Sequence, residues 1–422
     1  MKYSALKGVQ DIMPPDIYIW QRIEASAKKI FHNYGFQEIR LPIIESTDIF
    51  IRSIGETSDI VDKEMYTFPD KANRSVTLRP EGTAPAVRCY VEHNLNTLPS
   101  PQKFFYTGPM FRYERPQKGR FRQFYQIGVE AFGSAEPLQD AELLVMLENL
   151  LEQIGIRGLN FEINSIGCAC CRPDYKKELL AFFGDKLTAF CPDCKRRYSV
   201  NPLRILDCKV ERCVELRQGA PAVTDYLCDP CRKHFAELLC LLQMMNIRYT
   251  VNPNLVRGLD YYTRTAFEVT SEHLGAQKAV AAGGRYDGLV KEFGGPDTPA
   301  IGFAIGMERV AALLKETSEE QLPGPKAFIA TLGPEAEREG FRMAAALREA
   351  GHHVEQNYGG ASLKNQLRKA DRIGAEFAII IGDNELKAGK IQWKNLRNGE
   401  QDIVEINNIG SVLTNSVKHS HP

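Results

Sequence analysis

The sequence predicts an α+β protein whose first domain is interrupted by a helical, cysteine-rich insert and is followed by a smaller α/β domain. Strand-like and helix-like stretches mix irregularly over the first part of the chain. Nine of the eleven cysteines fall between Cys168 and Cys231, and strand and helix alternate regularly after the stretch ETSEEQLPGPK. Regular alternation is typical of a small α/β domain. We expect the divided domain at 1–167 and 248–320, the insert at 168–247 and the last domain at 321–422.

Length and charge limit the class of protein. The 422 residues are enough for two or three domains with cores of their own. The 53 Lys and Arg residues equal the 53 Asp and Glu residues, which argues against a nonspecific polycation but leaves room for a local nucleic-acid patch. No apolar run approaches the length of about 18 residues that a membrane span needs. The start, MKYSALKGVQDIMPPD, has no apolar signal segment, which predicts a cytoplasmic protein.

The first elements are a helix and an interrupted strand. Apolar residues from Ile19 to Phe31 recur at helical spacing, and Gly35 ends the pattern. The stretch QEIRLPII then reads as a strand that contains Pro42. Because proline cannot donate to a strand ladder, we expect this strand at an edge or boundary.

The strongest chemical pattern is a hairpin in FRYERPQKGRFRQFYQIGVEAFG, residues 111–133. RPQKG predicts a turn between two strands. Alternation in the second strand predicts one face that is apolar and another that is polar, with Arg112 and Glu114 sharing a face of the first strand. The polar face holds Arg120, Arg122, Phe124, Gln126, Gly128 and Glu130. This face is either a solvated surface or a nucleotide or phosphate site, and Gly128 indicates a close approach by another group.

Two further stretches combine helix starts with charged residues. Thr83 suits a helix N-cap before a helix that runs to about His93, and Glu81 lies just before it. Local sequence favours a carboxylate that complements the helix dipole over one that binds a substrate ammonium. In AIGFAIGMERV a glycine-rich strand end leads into a helix with Arg309 in its first turn, which suits either phosphate binding or tight packing.

The cysteines form four pairs, three of them with the two-residue gap of zinc knuckles. A ninth cysteine, Cys170, obscures the pairing. Buried free thiols are the alternative, but four pairs favour zinc, in one site or two. The candidate ligands are Cys168, Cys171, Cys191, Cys194, Cys208, Cys213, Cys228 and Cys231.

Five motifs in the observed order resemble the histidyl-tRNA synthetase family of class II aminoacyl-tRNA synthetases. The element around Pro42 resembles the first class II motif, which lies at a dimer interface. FRYERPQKGRFRQF resembles the second motif and GFAIGMERV the third, while RGLDYY and GGRYDGLV resemble two signatures particular to the histidine enzymes. The resemblance implies a homodimer with a six-stranded antiparallel catalytic sheet flanked by helices, an insertion, and a C-terminal α/β anticodon-binding domain. The cysteine-rich insert departs from the general family pattern.

The resemblance also implies an activity. ATP, with Mg²⁺, activates L-histidine to histidyl-adenylate, and the histidyl group passes to the 3′-terminal adenosine of tRNA(His). It implies catalytic roles for Arg257, Arg112 and Gln126, with Arg257 taking over part of the work that a metal ion does in most class II enzymes. The implied ATP-binding residues are Arg112, Glu114, Arg120, Phe124 and Arg309.

The same resemblance implies a histidine pocket. Glu130 accepts from the imidazole donor nitrogen, and a phenol such as Tyr262 serves the acceptor nitrogen. For Asp260 we favour a structural role. The implied histidine-binding residues are Glu81, Thr83, Arg112, Gln126, Glu130, Arg257, Tyr261, Tyr262 and Tyr286.

Two rival functions remain open from sequence. One is the noncatalytic, synthetase-like regulatory subunit of the ATP phosphoribosyltransferase of histidine biosynthesis, which typically lacks the anticodon-binding domain and has degraded ATP motifs. The retained Arg112, Arg120 and Arg309 argue against it. The other is a zinc-dependent RNA-binding protein without activity, which leaves the paired tyrosines unexplained. Gln117 and Lys118 of the hairpin loop are candidates to meet the tRNA acceptor stem.

Overall fold

A computed structural model describes residues 3–55, 60–116, 119–274, 278–317 and 324–415. Gln117, Lys118 and part of the expected linker ETSEEQLPGPK lie outside these ranges. The chain divides into two compact units, Met1–Glu320 and Gln321–Pro422.

The first unit contains ten α-helices and eleven strands within the described ranges. The helices are α1 Asp16–Asn33, α2 Thr47–Ile54, α3 Thr83–Glu92, α4 Pro137–Gln153, α5 Arg172–Gly184, α6 Pro192–Val200, α7 Glu211–Leu216, α8 Asp229–Met244, α9 Leu289–Glu292 and α10 Met307–Thr317. The strands are β1 Gln37–Glu38, β2 Ile44–Ser46, β3 Tyr66–Pro69, β4 Ser75–Leu78, β5 Gln102–Phe111, β6 Gln123–Phe132, β7 Asn160–Ser165, β8 Tyr249–Val251, β9 Thr263–Thr270, β10 Ala279–Arg285 and β11 Ala300–Gly306.

Eight strands form a mixed sheet in the order β1-β5-β6-β11-β10-β9-β7-β8. The six strands from β5 to β7 in this order pair antiparallel, whereas β1 and β8 add to the two edges in parallel. The expected six-stranded antiparallel sheet is therefore confirmed as the centre of a wider mixed sheet.

Pro42 divides the stretch that reads as one strand. Residues before it form the edge strand β1, and residues after it form β2 in a separate sheet of order β2-β4-β3. A residue without an N–H cannot continue the ladder, so the chain changes sheets here.

One face of the large sheet packs against helices. Ile127, Val129 and Ala131 of β6 join an apolar core with Phe31 of α1 and Leu147 of α4. This is the apolar face that the alternation of β6 predicts. The opposite face of β6 is left for polar residues.

The hairpin strands are shorter than the sequence predicts. β5 ends at Phe111 and β6 begins at Gln123, so Arg112, Glu114, Arg120 and Arg122 lie in the connection and not within the strands. The N–H of Arg122 donates to the carbonyl of Gly8 at 2.7 Å, which diverts it from the strand ladder. The placement of these four charges on strand faces was wrong.

The insert has a small core of its own. Tyr175, Leu179, Phe183 and Phe190 pack with the buried cysteines, and Val256, which follows the insert in the first unit, joins the same cluster. The insert thus supports the chain that returns from it towards the sheet.

The second unit is a five-stranded sheet with helices. Its strands are β12 Ala327–Leu332, β13 Val354–Gln356, β14 Phe377–Gly382, β15 Lys390–Asn395 and β16 Gln401–Glu405, in the order β13-β12-β14-β15-β16. Its helices are α11 Pro334–Glu349, α12 Leu363–Arg372, α13 Asp383–Lys387 and α14 Ile409–Asn415. Parallel pairing of β12 with β13 and β14 follows from the intervening helices, as in other α/β domains. Among the described residues of the whole chain, no helix has the length and apolar character needed to cross a membrane.

Candidate active site

A cleft of about 230 Å³ opens beside the polar face of β6. It brings together residues from α3, the hairpin connection, the segment before β9 and the first turn of α10. Eleven of the sequence-predicted site residues line it: Glu81, Thr83, Arg112, Glu114, Arg120, Phe124, Gln126, Arg257, Tyr261, Tyr262 and Arg309.

Glu130 and Tyr286 do not line the cleft but lie buried against its wall. Glu130 is only 1% exposed. Its Oε1 accepts hydrogen bonds from Thr83 Oγ1 at 2.8 Å and Tyr106 OH at 2.9 Å, and its Oε2 accepts one from Tyr286 OH at 2.5 Å. A carboxylate offers about four lone-pair directions, so one acceptor direction on Oε2 is left. Burial raises the pKa of Glu130 to about 8, although the three hydroxyl donors act in the opposite direction.

Two glycines make room for this arrangement. A Cβ on Gly302 of β11 would overlap the Glu130 carboxylate and the Val129 carbonyl. A Cβ on Gly128 would overlap the ring of Tyr106 from the neighbouring strand β5. The close approach that Gly128 indicated is therefore made by a side chain of the protein itself.

A buried ion pair fixes Tyr286 beside Glu130. Its neighbour Arg285 is fully buried and contacts Asp140 of α4 at 2.6 Å. The same guanidinium donates to the carbonyls of Ser134 at 2.9 Å and Glu136 at 3.0 Å. Charge-assisted bonds of this kind hold the GGRYDGLV stretch in register, which points to a structural use for its arginine.

The tyrosine rings contact one another in tilted and edge-to-face arrangements and form an aromatic wall. The ring centroids of Tyr261 and Tyr262 are 4.7 Å apart, and those of Tyr261 and Tyr286 are 5.7 Å apart. Burial raises the pKa of each of the three phenols above its ordinary value. Each phenol therefore stays protonated near neutral pH and can donate a hydrogen bond.

Arg257 is held in the cleft wall beside Tyr262. Its Nη1 donates to Glu268 Oε2 of β9 at 2.8 Å, and its guanidinium lies 5.8 Å from the ring centre of Tyr262. Its Nε is buried and has no hydrogen-bond partner among the residues that the structure describes. Such a buried donor favours a ligand acceptor in the cleft.

Three more guanidiniums face the same space. Arg112 donates from Nε to the Pro80 carbonyl at 2.9 Å and lies 5.3 Å from the ring centre of Phe124. Arg120 pairs with Glu114, with Nη2 3.1 Å from Oε1. Burial lowers the pKa of Arg309, and the charge of Arg120 lowers it further. Cations that repel one another across a cleft favour an anion between them.

The structure uses Glu81 at a helix start. Helix α3 begins at Thr83, with Gly82 at the N-cap, so the expectation of a Thr83 cap was wrong by one position. The Glu81 carboxylate accepts from the backbone N–H of Thr83 at 2.6 Å and of Ala84 at 2.9 Å, which agrees with the helix-dipole alternative. Thr83 instead turns its hydroxyl to Glu130. Within the described part of the chain, the buried Oε1 of Gln126 has no hydrogen-bond partner.

Sequence reasoning missed Tyr106, Glu268 and Glu308, which also line the cleft. Glu308 accepts from the Tyr125 N–H at 2.9 Å, and burial raises its pKa to about 7. A lone carboxylate inside the apolar strand TRTAFEV was the available signal for Glu268. Tyr106 gave no such signal, because a tyrosine in a strand is ordinary.

Asp260 lies away from the cleft. Its Oδ1 accepts from Asn201 Nδ2 of the insert at 3.0 Å, and a Cβ on Gly55 would overlap its carboxylate. These contacts agree with the structural role favoured for it.

The cysteines sort into two groups of four whose pairs interleave along the chain. One group is Cys168, Cys171, Cys228 and Cys231, and the other is Cys191, Cys194, Cys208 and Cys213. Within each group the sulfur atoms lie within 4.8 Å of one another. Cys170 is exposed and belongs to neither group. This arrangement favours two sites over one.

The sulfur geometry fits a tetrahedral ion. Sγ–Sγ distances are 3.7 Å for Cys168–Cys171, 3.8 Å for Cys168–Cys228 and 3.9 Å for Cys191–Cys208. Four thiolates at the usual Zn–S distance of about 2.3 Å would be separated by about 3.8 Å.

Backbone donors reach some of the sulfur atoms and favour the thiolate form of Cys168, whereas burial raises the pKa of Cys194 and Cys231. The N–H of Cys228 donates to Cys171 Sγ at 3.2 Å, and that of Cys191 donates to Cys213 Sγ at 3.4 Å. Burial raises the pKa of Cys168, but the N–H groups of Cys170 and Cys171 with the neighbouring thiols outweigh it and lower the pKa to about 6. The thiolate is the form that binds metals.

Comparison with known proteins gives matches over nearly the whole chain. The family model described as histidyl-tRNA synthetase matches residues 8–169 and 206–310, and the model described as anticodon binding domain matches 326–416. The histidine–tRNA ligase of Thermodesulfovibrio yellowstonii is 54% identical over 409 residues, covering 97% of each chain. That of Trichlorobacter lovleyi is 50% identical over 406 residues, covering 96% of each.

Solved structures agree. The apo histidyl-tRNA synthetase of S. aureus superposes with a TM-score of 0.83 at 39% identity, covering 97% of this chain and 99% of that one. A protein from Bacillus halodurans, described as an ATP phosphoribosyltransferase regulatory subunit/histidyl-tRNA synthetase, reaches 0.65 at 19% identity, covering 90% of this chain and 98% of its own. The second likeness speaks for the fold alone.

Proposed function

The chain belongs to the histidyl-tRNA synthetase family and is an aminoacyl-tRNA ligase for histidine, and from this premise we propose how its cleft performs the reaction. The enzyme activates L-histidine with ATP and transfers the histidyl group to the 3′-terminal adenosine of tRNA(His). The family uses ATP, typically with Mg²⁺. The observation that carries our assignment of roles is one cleft with four arginines on its walls and a buried carboxylate behind it.

Histidine is recognised through its ring. Histidine binding favours the ionised form of Glu130, whose remaining acceptor direction takes the imidazole N–H, and the hydroxyl of Tyr262 donates to the other ring nitrogen. Tyr261 lines the space for the ring, and Tyr286 supports the site from behind the wall through its bond to Glu130. A site that must hydrogen-bond its substrate rejects analogues without the partner groups, by roughly 10⁴-fold in favourable cases.

The amino-acid backbone of histidine binds beside the start of α3 and the polar face of β6. Gln126 offers its unpartnered Oε1 to the α-ammonium, with Glu81 and Thr83 beside it. Arg257 and Arg112 bind the substrate carboxylate. The buried Nε of Arg257 supports this role because it has donor capacity left beyond its bond to Glu268.

ATP binds in the part of the cleft that is lined by arginines. Arg120 and Arg309 hold the outer phosphates, and Arg112 binds the α-phosphate. Phe124 stacks on the adenine and Glu114 lies near it. Arg112 now covers Phe124, and Arg120 now pairs with Glu114, so ATP would take the place of partners inside the protein.

The chemical step needs positioning and charge stabilisation. A carboxylate oxygen of histidine attacks the α-phosphorus, the bond to the β-phosphate oxygen breaks, and pyrophosphate leaves. Arg257 and Arg112 stabilise the charge that develops around the α-phosphorus. The terminal ribose hydroxyl of tRNA then attacks the acyl carbon, and AMP leaves.

The two cysteine groups hold structural zinc. Closed Cys₄ sites lack the open position of a catalytic zinc, so the ions would support the fold of the insert and not the chemistry. The tetrahedral spacing of the sulfur atoms supports both sites.

The enzyme works in the cytoplasm as a homodimer. The stretch around Pro42 resembles a dimer-interface motif. Beside it, Ile44 and Phe68 of the three-stranded sheet are 51% and 42% exposed, which an interface between copies would cover. tRNA(His) is contacted by the C-terminal unit and by the hairpin loop with Gln117 and Lys118.

The regulatory-subunit alternative has less support. Relatives of nearly full length at about half identity are histidine–tRNA ligases, and an anticodon-binding domain is matched. The arginines of the ATP site are present and line the cleft.

ATP–pyrophosphate exchange tests the assignment. We expect exchange that requires histidine and is not supported by other amino acids. Glu130→Gln should raise the Michaelis constant for histidine by roughly tenfold or more and leave that for ATP within about twofold. Arg309→Ala should do the reverse. Equal effects of both variants on both substrates would overturn the division of the cleft.

A further inference from the structure

The segment 257–262, here called the recognition segment, separates the cleft from the insert. Arg257, Leu259, Tyr261 and Tyr262 line the cleft. Gly258 and Asp260 alternate with them and contact the insert. The same few residues therefore carry substrate groups on one side and insert contacts on the other.

The recognition segment has little regular structure to hold it. It contains neither helix nor strand. Within the described residues, its main-chain bond to the catalytic unit is a long one, from the Asp260 N–H to the Ile54 carbonyl at 3.3 Å. Keeping irregular backbone in one conformation costs conformational entropy, so other contacts must fix it.

Three insert side chains supply these contacts. Arg204 donates from Nη1 to the Gly258 carbonyl at 2.6 Å, and Asn201 donates from Nδ2 to Asp260 Oδ1 at 3.0 Å. Arg172 donates from Nη2 to the Tyr262 carbonyl. The recognition segment is thus tied near its start, middle and end.

Each of these donors belongs to a part of the insert that a cysteine group closes. Arg172 directly follows Cys171 of the first group. Asn201 and Arg204 lie in the connection 195–207, whose two ends are Cys194 and Cys208 of the second group. Val256, just before the recognition segment, packs in the same apolar cluster as the cysteines.

We propose that Arg172, Asn201 and Arg204 are positioning residues that hold the recognition segment so that Arg257, Tyr261 and Tyr262 meet histidine together. The cysteine-rich insert is then a brace for amino-acid recognition. This rests on the proposed function of the cleft. Preorganised groups bind and catalyse better than groups that must be ordered by the substrate.

The test compares variants that lack hydrogen bonds from the insert to the recognition segment with a variant that lacks hydrogen bonds within the insert. Asn201→Ala and Arg204→Ala each remove one hydrogen bond to the recognition segment, and the double variant removes both. Arg204→Lys keeps the positive charge and an N–H donor group but loses the planar fork of the guanidinium. Arg217→Ala is the matched control, because Arg217 donates to the carbonyls of Leu206 and Cys208 inside the insert.

Two readouts are required: steady-state pyrophosphate exchange with histidine and ATP varied separately, and amide hydrogen exchange of the peptide that spans 256–262. In the double variant we expect the Michaelis constant for histidine to rise roughly tenfold, with that for ATP within about twofold. Amide exchange in the peptide should accelerate at least about fivefold. Arg204→Lys should recover part of the histidine affinity.

Two results would overturn the brace. One is an unchanged histidine constant together with unchanged amide exchange in the double variant. The other is a defect of the same size and selectivity in Arg217→Ala, which would indicate general damage to the insert. Failure of the proposed function looks different, because the unmodified enzyme would then lack histidine-dependent exchange.

Discussion

Arg257 Nη1 lies 2.8 Å from Glu268 Oε2. The arginine that we place at the reacting phosphate therefore already has a carboxylate partner within the protein. The pair is partly buried, with the two side chains 17% and 28% exposed. Glu268 orients the guanidinium, whose buried Nε keeps a donor available. An arginine fixed in this way needs little reorganisation as charge builds on phosphate.

Replacing Arg257 should damage the chemical step. We expect Arg257→Ala to lower kcat of pyrophosphate exchange by about 10²–10³-fold, the usual effect of losing a preorganised donor to a developing charge. Arg257→Lys should recover only part of this, because an ammonium cannot reproduce the two-pronged geometry. Exchange kinetics measure the effect, and thermal melting checks the fold.

The matched control for this prediction is Arg212→Ala. Arg212 is 63% exposed and pairs with Glu215 on the insert surface. Its loss should leave exchange within about twofold, since exposed pairs contribute little. Wild-type kcat in Arg257→Ala would remove this arginine from the mechanism.

A substitution of Gly302 should disturb the position of the Glu130 carboxylate. An alanine Cβ there would overlap the Glu130 carboxylate, so Gly302→Ala should displace it and raise the Michaelis constant for histidine by roughly tenfold or more. Overpacking of this kind should also cost about 1–3 kcal/mol of unfolding free energy. Gly288→Ala is the control, because its Cβ would meet no atom within 4 Å. Similar constants in the two variants would contradict the placement of Glu130.

Local periodicity predicted the two faces of β6 correctly. Phe124 and Gln126 line the cleft while Ile127 and Val129 enter the core, because strand alternation depends only on neighbouring residues. The ends of the same strand were predicted wrongly. The carbonyl of Gly8, more than a hundred residues away in sequence, takes the N–H of Arg122. Among the described residues, only one bond, from the Arg112 N–H to the Arg122 carbonyl, therefore continues the β5–β6 register beyond the strand ends.

Contacts made over long distances in sequence also explain what was missed at the site. Nothing near Thr83 indicates that its hydroxyl turns to Glu130, and nothing near Cys168 indicates that its partners are Cys228 and Cys231. The reaction could be predicted from the order of the motifs, because the residues that define each motif are close together in sequence. The hydroxyl network around Glu130 needed the three-dimensional structure, because Thr83, Tyr106 and Tyr286 come from separate elements.

Glu130 should make stability depend on pH. Its pKa is raised from 4.5 to about 8, so between these values the folded protein keeps a proton that the unfolded chain has released. Its contribution is therefore full below about pH 4.5 and is lost as pH rises towards 8, by about 1.4 kcal/mol per pH unit. Glu130→Gln cannot titrate and should lack this slope.

Urea unfolding of wild type and Glu130→Gln at pH 5.5, 6.5 and 7.5 measures this difference. Burial also raises the pKa of Glu308 to about 7 and of Asp140 to about 6, but both groups are present in each protein and largely cancel in the comparison. We expect the variant to gain stability relative to wild type at each step. Parallel pH profiles would show that Glu130 is ionised throughout this range.

The two cysteine groups predict a metal content of two ions per chain, and a substitution in one group should remove one of them. Protein purified without added zinc should hold about two zinc ions per chain, one for each group of four thiols. Cys194→Ser should lower this to about one ion and reduce Tm by roughly 5–10 °C, because the connection between Cys194 and Cys208 loses its closure. Cys170→Ser is the matched control, since Cys170 is exposed and outside both groups. Elemental analysis with thermal melting decides the matter. Fewer than about 0.2 zinc ions in wild type would leave the eight cysteines as free thiols, and equal zinc content in both variants would remove Cys194 from the ligands.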